Sequence, residues 1–156
     1  PVVVMWQGAI AQQGQPAALY REPNSRFVAD FIGKSNILAV QTTRTAPNHL
    51  ELSVREGPTL KARSTELTGE IRFCSIRPES IAVLQPGAGE TGFANILDAT
   101  VRRVVNLGAA FEIDADLGAE VRLHFLLRAT RASVPPKVGA TIRLGIDDAD
   151  IQPLSV

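Results

Sequence analysis

From Ile37 onward the apolar residues recur at every second position, and a period of two is that of a pleated strand with one face buried. Leu50, Leu52 and Val54 alternate with Glu51, Ser53 and Arg55. Phe111, Ile113, Ala115 and Leu117 alternate with Glu112, Asp114 and Asp116, and Val121, Leu123, Phe125 and Leu127 with Arg122, His124 and Arg128. Each run is expected to be an antiparallel strand. Gly57-Pro58, Leu117-Gly118-Ala119-Glu120, Pro135-Pro136 and Gly139 supply the turns, at a spacing that suits a small barrel or sandwich better than a strand-helix-strand unit. No internal repeat stands out. The Gly-rich stretch near 85–92 is the expected joint between an earlier half, Ile37 to Leu84, and a later half, Phe93 to Val156. Two sub-barrels and one interleaved barrel fit this pattern equally.

The first 36 residues read differently. Val2 to Met5 is a β-branched run, Gln7-Gly8 a turn, and Ala9 to Gln13 a returning strand, a ribbon that expects a partner surface because two strands alone are marginal. Pro16 suits the first position of a short helix, where its missing amide would be unpaired anyway, and Pro23 stops that helix. Gln15 makes a weak cap, and Ala17 and Ala18 leave the first turn without negative charge. A second helix is expected from an N-cap at Asn24 to a left-handed Gly33. Phe27 with Phe31 and Val28 with Ile32 stand four apart and should share one apolar face.

Composition excludes several classes of function. The 156 residues carry 16 basic and 16 acidic side chains, so no overall field holds the chain on nucleic acid or on an anionic surface. A hydrophobic content of 45% indicates a folded protein, and with six Phe, one Trp and one Tyr its core must be aliphatic. Cys74 is the sole cysteine, which rules out an intrachain disulfide and a multi-cysteine zinc site, and its neighbours mark it as a small buried hydrophobe. The sequence has no apolar run long enough to span a membrane and no signal segment, which leads to the expectation of a soluble cytoplasmic chain. Pro1, directly ahead of an apolar run, does not look like a natural beginning.

Candidate sites are few. Gly87, Gly89 and Gly92 fit a dinucleotide-binding pattern, but a strand-like run follows where a helix would have to begin, so a plain loop is expected. No phosphate-cradling G-x-x-x-x-G-K-S/T occurs, so the chain itself is expected to bind no ATP. His49 and His124 lie on polar strand faces and read as solvated. Asp147, Asp148 and Asp150 lack the alternation and distal Glu of a calcium loop, and no nucleophile elbow is present. Arg102, Arg103, Arg128, Arg131 and Lys137 raise an alternative, an OB-like barrel binding single-stranded nucleic acid, though no exposed aromatics are interleaved with them. Arg77-Pro78-Glu79 is the sharpest constellation after Ile37; its proline ends a strand, and its two charges could meet a partner, each other or only solvent.

Val3-Val4-Met5, Gly8, Ile10, Gln13-Gly14, Pro16, Leu19-Tyr20, Pro23, the Phe-rich helix and Asn36 together resemble the end of the nucleotide-binding domain in ATPase subunits of bacterial ABC importers. These are the importers of the spermidine/putrescine, ferric-iron and sugar type. Arg77-Pro78-Glu79, Leu107-Gly108, Phe111-Glu112-Ile113 and Val121-Arg122-Leu123 resemble the TOBE domain that follows it. The resemblance implies a mainly β fold, one or two OB-like TOBE barrels over 37–156, preceded by a short α/β remnant of the ATPase domain over 1–36. It implies a regulatory or dimerisation role without catalysis, in a parent subunit that binds ATP and Mg2+ through a domain this chain lacks. The partners implied are a second copy of the subunit and, through the absent domain, membrane permease subunits, at the inner face of the plasma membrane and without membrane insertion. The candidate contact residues it implies are Arg77, Pro78, Glu79, Leu107 and Gly108, with Asn36 fixing the exit from the helix. Related barrels that bind small oxyanions give a further alternative, an oxyanion-sensing barrel.

Overall fold

The computed structural model describes residues 1–64, 69–87, 92–118 and 120–155. A hairpin opens the chain: β1 (Val2–Trp6) and β2 (Ala9–Gly14) pair antiparallel about Gln7 and Gly8, whose φ values of 48° and 80° are those of a tight primed turn. Two short helices follow, α1 (Pro16–Arg21) and α2 (Arg26–Ile32). Val4, Leu19 and Val28 form a small core of their own, against which Ala11, Phe27 and Ile32 pack.

Pro16 does start α1, and Gln15 makes no side-chain cap bond. The second helix departs from expectation at both ends. Its N-cap is Ser25, whose Oγ accepts from the Val28 amide at 3.3 Å, because Asn24 is spent holding β2: its amide donates to Gln12 Oε1 and its side chain to Ala11 O. Gly33 is extended at φ 165°, not left-handed. The apolar face is also split. Val28 is fully buried, whereas Phe31 is 66% exposed and stacks on Phe27, which stacks in turn on Trp6.

The remaining strands make two five-stranded antiparallel sheets. The first runs in the order β12 (Ile151–Leu154), β6 (Phe73–Ile76), β3 (Asn36–Ala46), β4 (His49–Val54), β5 (Thr59–Arg63). The second runs β10 (Arg122–Arg128), β9 (Ala110–Asp116), β8 (Asn95–Asn106), β11 (Thr141–Ile146), β7 (Ala82–Leu84). The expected alternation is realised: Leu50, Leu52, Val54, Phe111, Ile113, Ala115, Val121, Leu123 and Phe125 all point into one core shared by both sheets. Pro153, which cannot donate to a ladder, sits in β12 at a sheet edge. A strand, β8, follows the glycine pattern, as expected for a plain loop; Gly89 and Ala119 lie outside the described residues, so the joint and the hairpin turn that contain them do too.

The two sheets are copies of one unit. Reading β3, β4, β5, β6 against β8, β9, β10, β11, each sheet has the same order, and each long first strand carries a bulge at the matching place, between Thr42 and Arg44 and between Val101 and Arg103. A single 3-10 turn follows in both, Pro78–Ser80 after β6 and Asp148–Asp150 after β11. The strand after each turn then crosses to the other sheet, β7 to the second and β12 to the first. This corrects the expectation of no internal repeat. The sequence signal was Asn36-Ile37-Leu38 against Asn95-Ile96-Leu97, and Ile76 with Ile81 against Ile146 with Ile151.

Those two asparagines join the sheets. Asn36 Nδ2 donates to Ile76 O and His124 O, at 3.1 and 2.8 Å, and its Oδ1 accepts from the His124 amide at 2.7 Å. Asn95 repeats this with Ile146 O, Lys61 O and the Lys61 amide, at 3.2, 2.8 and 2.7 Å. Both are buried, and each side chain takes the place of a missing strand neighbour between the sheets. Gly57 permits a close approach elsewhere: a Cβ there would lie 2.9 Å from Val121 Cγ2.

Candidate functional site: the Arg77 junction

Arg77 follows β6 immediately, where Pro78 ends the strand and starts the 3-10 turn. Its side chain folds back under the N-terminal helices rather than out to solvent, and the residue is 7% exposed. Nε and Nη2 donate to Tyr20 O at 3.2 and 2.9 Å, and Nη1 to Gly33 O at 3.1 Å and Lys34 O at 3.4 Å. These carbonyls close α1 and follow α2, where helices leave acceptors unpaired and favour positive charge. The guanidinium carbon also lies 4.1 Å from the centroid of the Tyr20 ring. The Tyr20 hydroxyl donates to Glu79 Oε1. Burial first, and the bond to Glu79 next, raise the Tyr20 phenol above its ordinary value, so it remains a donor.

Arg77 therefore ties the N-terminal unit to the barrels, alongside Ser35, whose Oγ reaches Ser75 Oγ and Ile76 O, and Arg26, which lies over the Phe73 ring. Among the described contacts the two charges of Arg77-Pro78-Glu79 do not pair with each other; Arg77 is committed to backbone and Glu79 to a phenol. Of the other sequence candidates, Pro78 is buried beside Arg77, and Asn36 is buried in the clamp described above. Leu107 and Gly108 lie apart in the turn between β8 and β9, Leu107 57% exposed and Gly108 at φ 86°. Tyr20 went unselected in the sequence, because nothing local distinguishes a half-buried helix tyrosine that awaits a partner 57 residues on.

The junction opens onto a cleft of about 1270 Å³, walled by Tyr20, Arg77 and Glu79 on one side and by Arg63, Asp150 and Gln152 among others. Burial, then the neighbouring Asp147 carboxylate, raise Asp150 above the ordinary aspartate value, and Ser80 lines the same cleft. Cys74, beneath the junction, is fully buried and its thiol is pushed up to about 12, as fits an inert hydrophobe.

The outer face of the second sheet carries the remaining charge. Glu112, Asp114 and Asp116 alternate along β9; Arg103 reaches the first two, and Arg102 and Arg122 reach Asp116 at 2.8 and 2.7 Å. His124 is not solvated as expected: it is half-buried, with Nδ1 2.7 Å from Asp114 and Nε2 3.2 Å from Glu112. Arg102 and Arg103, two members of the supposed basic stripe, are thus neutralised by acidic neighbours. Bonds from Arg122 and then Arg102 lower Asp116 from 3.8 to about 2. Asp114 is lowered as well; its burial opposes the shift and is outweighed by bonds from His124 and Arg103. Depressed carboxylates stabilise the fold above their unfolded values and lose that contribution as pH falls. Wild-type urea midpoints are therefore expected to drop between about pH 4 and about pH 2, and Asp116→Asn to flatten that drop. Equal slopes for the two proteins would show that the pair contributes nothing.

Two five-stranded antiparallel sheets with exchanged last strands around one core, an OB-like arrangement preceded by a hairpin and two helices, define the class. The model of the TOBE domain matches residues 74–154, and the chain belongs to that family. Similar relatives are spermidine/putrescine import ATP-binding proteins PotA. That of Nitrosomonas europaea is 37% identical over 53% of this chain and 23% of its own length. Those of Methylococcus capsulatus and Borreliella afzelii are 31% and 30% identical over 92% and 96% of this chain, and 37% and 39% of their own. The match is to the C-terminal part of such subunits, and the chain spans well under half their length. In fold it is similar to the cytoplasmic molybdate-binding protein ModG, solved with molybdate bound, with a TM-score of 0.63 at 16% identity over 74% of this chain and 92% of that one.

Proposed function

We propose that this chain is a regulatory region of the ATP-binding subunit of a bacterial ABC importer. In this reading it holds two such subunits together and couples their ATP-binding domains to the barrels during solute uptake. The observation that carries the reading is the extent of similarity to PotA, which runs through the N-terminal unit and both barrels as one piece. The division falls at 1–36, the end of the ATP-binding domain, and 37–156, the TOBE region. ATP and Mg2+ belong to the part of the relatives outside this similarity. These residues do not fit them: the sequence has no phosphate loop, the two helices begin at Pro16 and Arg26 without a Gly-rich lead, and no group of described residues could hold a metal ion.

Arg77, Pro78 and Glu79 serve contact within the subunit, between the N-terminal unit and the barrels. Leu107 and Gly108, with exposed Val134 and Val138, offer the surface for a second copy. The exposed rings of Trp6 and Phe31, bridged by half-buried Phe27, face the rest of the ATP-binding domain, through which permease subunits are met at the inner membrane face. No helix among the described residues is long and apolar enough to cross a membrane.

A chimera tests this: the chain replaces the C-terminal part of the Methylococcus capsulatus PotA. The expected result is a chimera that hydrolyses ATP and sediments as a dimer, while the chain alone gives no turnover above blank. Turnover by the chain alone, or a hydrolysing chimera that stays monomeric at high concentration, would refute the proposal. A second reading, oxyanion sensing, draws on the shared fold with ModG and on Ser75 and Ser80 beside Arg77 in the cleft. It is weaker, since the Arg77 guanidinium is already committed to three carbonyls.

A further inference from the structure

We propose that one end of the second sheet is a docking surface for an acidic polypeptide, with Leu107, Val134 and Val138 as apolar anchors and Arg128, Arg131 and Lys137 as the cations around them. Outside the N-terminal unit, the large hydrophobic residues that stay exposed among the described residues are Leu107, Leu126, Val134 and Val138. The fold gathers them at one place. Leu107 lies in the turn between β8 and β9, and the 129–140 segment starts beside that turn, where the Ala129 amide donates to Ala109 O at 3.0 Å. The segment ends beside β8, where the Gly139 amide donates to Val101 O at 2.8 Å. Apolar side chains left in water as a group, with charge around them, mark an interaction surface.

Charge selects the partner. Neither 104–111 nor 121–140 contains an aspartate or a glutamate, and Arg128, Arg131 and Lys137 are exposed, with no carboxylate partner among the described residues. The first carboxylate along β9, Glu112, stands opposite Leu126 and is taken by Arg103 and His124. Elsewhere on the sheets arginines find carboxylates, as Arg102 and Arg122 do with Asp116. Three unmatched cations beside aliphatic anchors complement carboxylates on a chain that also carries apolar side chains. Nucleic acid fits less well, because the aromatic rings of these strands, Phe111 and Phe125, are buried and offer no stacking platform.

The repeat supplies an internal control. The matching end of the first sheet, at the turn between β3 and β4 and the run from β5 to β6, pairs Arg44 with Glu51 and Arg72 with Glu70, and its described residues include no exposed large hydrophobic. The patch belongs to one copy, so the fold alone does not demand it. It is also ordered in advance: Ser133 Oγ accepts from the Thr130 amide at 2.9 Å, and Pro135-Pro136 restrict the backbone between Val134 and Val138, which lowers the entropy lost on docking. The regulatory reading offers the same anchors to a second copy, and an isologous contact there would set the three cations against their own images. On that reading the acidic partner competes with the second copy and releases it.

The probe is a fluorescent peptide of about 15 residues, mostly Glu with Leu at every third or fourth position, titrated with the intact chain and followed by anisotropy. Binding is expected to weaken about tenfold or more when salt rises from about 50 to about 300 mM, and by a similar factor in Arg131→Glu with Lys137→Glu. Both positions are exposed, so the fold should tolerate the change. Arg44→Glu with Arg72→Glu alters the net charge equally at the matching end of the first sheet and is expected to stay within about twofold. Leu107→Ser with Val134→Ser is expected to lose about fivefold or more. Absence of binding, equal losses in the two charge-reversed variants, or tighter binding of oligothymidine or phosphatidylserine vesicles than of the peptide would overturn the proposal. Sedimentation with and without peptide keeps it separate from the regulatory reading. A dimer that peptide converts to monomer supports both, and one that persists with peptide bound overturns the competition. A dimer that binds no peptide refutes the docking surface alone, whereas a monomer that binds it as expected refutes only the second copy.

Discussion

Arg77→Ala is expected to destabilise the chain by about 2–4 kcal/mol, the largest loss for any single substitution considered. The variant removes the donor to three carbonyls, vacates the space under the Tyr20 ring and leaves Tyr20 O without its partner in a partly buried place. A bond to a charged donor contributes about 1.5–3 kcal/mol and a cation over an aromatic face about 0.5–2 kcal/mol, and the two are not additive here because one side chain supplies both. Arg77→Lys separates them. Lysine keeps the charge but not the fork that reaches Tyr20 and Gly33 together, so it is expected to recover less than half of the loss in a urea titration. A variant as stable as wild type would mean that water replaces the guanidinium at no cost.

The second large effect belongs to the asparagine clamps. Asn36→Ala leaves the His124 amide and carbonyl without partners between the sheets, and is expected to cost about 2–3 kcal/mol in the same measurement. Asn95→Ala deprives Lys61 in the same way, so the two losses should agree within about 1 kcal/mol if the repeats are equivalent in energy as well as in shape. Because the strands β7 and β12 are exchanged, either substitution should shift a single transition rather than release one barrel. Unfolding in two steps, with one sheet surviving, would contradict the shared core.

How much of this was legible in the sequence follows from the range of each signal. Alternation is local, so the faces of β4, β9 and β10 could be read directly from Leu50 to Val54 and from Phe111 to Leu127. Pro16 and Gln7-Gly8 were legible for the same reason, since each constrains only its own backbone. Ser25 was missed as a cap because Asn24 is the better capper in isolation, and what removes it is a tertiary bond to Gln12. The repeat was missed because a duplicated barrel needs only matched burial; outside Asn-Ile-Leu the copies share pattern rather than identity. His124 reads as exposed by alternation, and it does point outward, but three β9 carboxylates and Arg103 make that face a packed ionic surface. At the junction, Arg77-Pro78-Glu79 was singled out for its proline and its charges. The bonds to Tyr20, Gly33 and Lys34 depend on how the helices return over β6, which no local pattern encodes.

The claim on which the rest depends is that a buried arginine makes the N-terminal unit and the barrels one mechanical body. Trp6 is the sole tryptophan of the chain and lies stacked on Phe27 in the N-terminal unit, so its fluorescence reports that unit, while far-ultraviolet circular dichroism is dominated by the strands of the barrels. Urea unfolding followed by both signals is predicted to give coincident midpoints in wild type and, in Arg77→Ala, a Trp6 transition that moves to lower urea ahead of the strands. Separate midpoints in wild type, or coincident midpoints that persist in the variant, would contradict it.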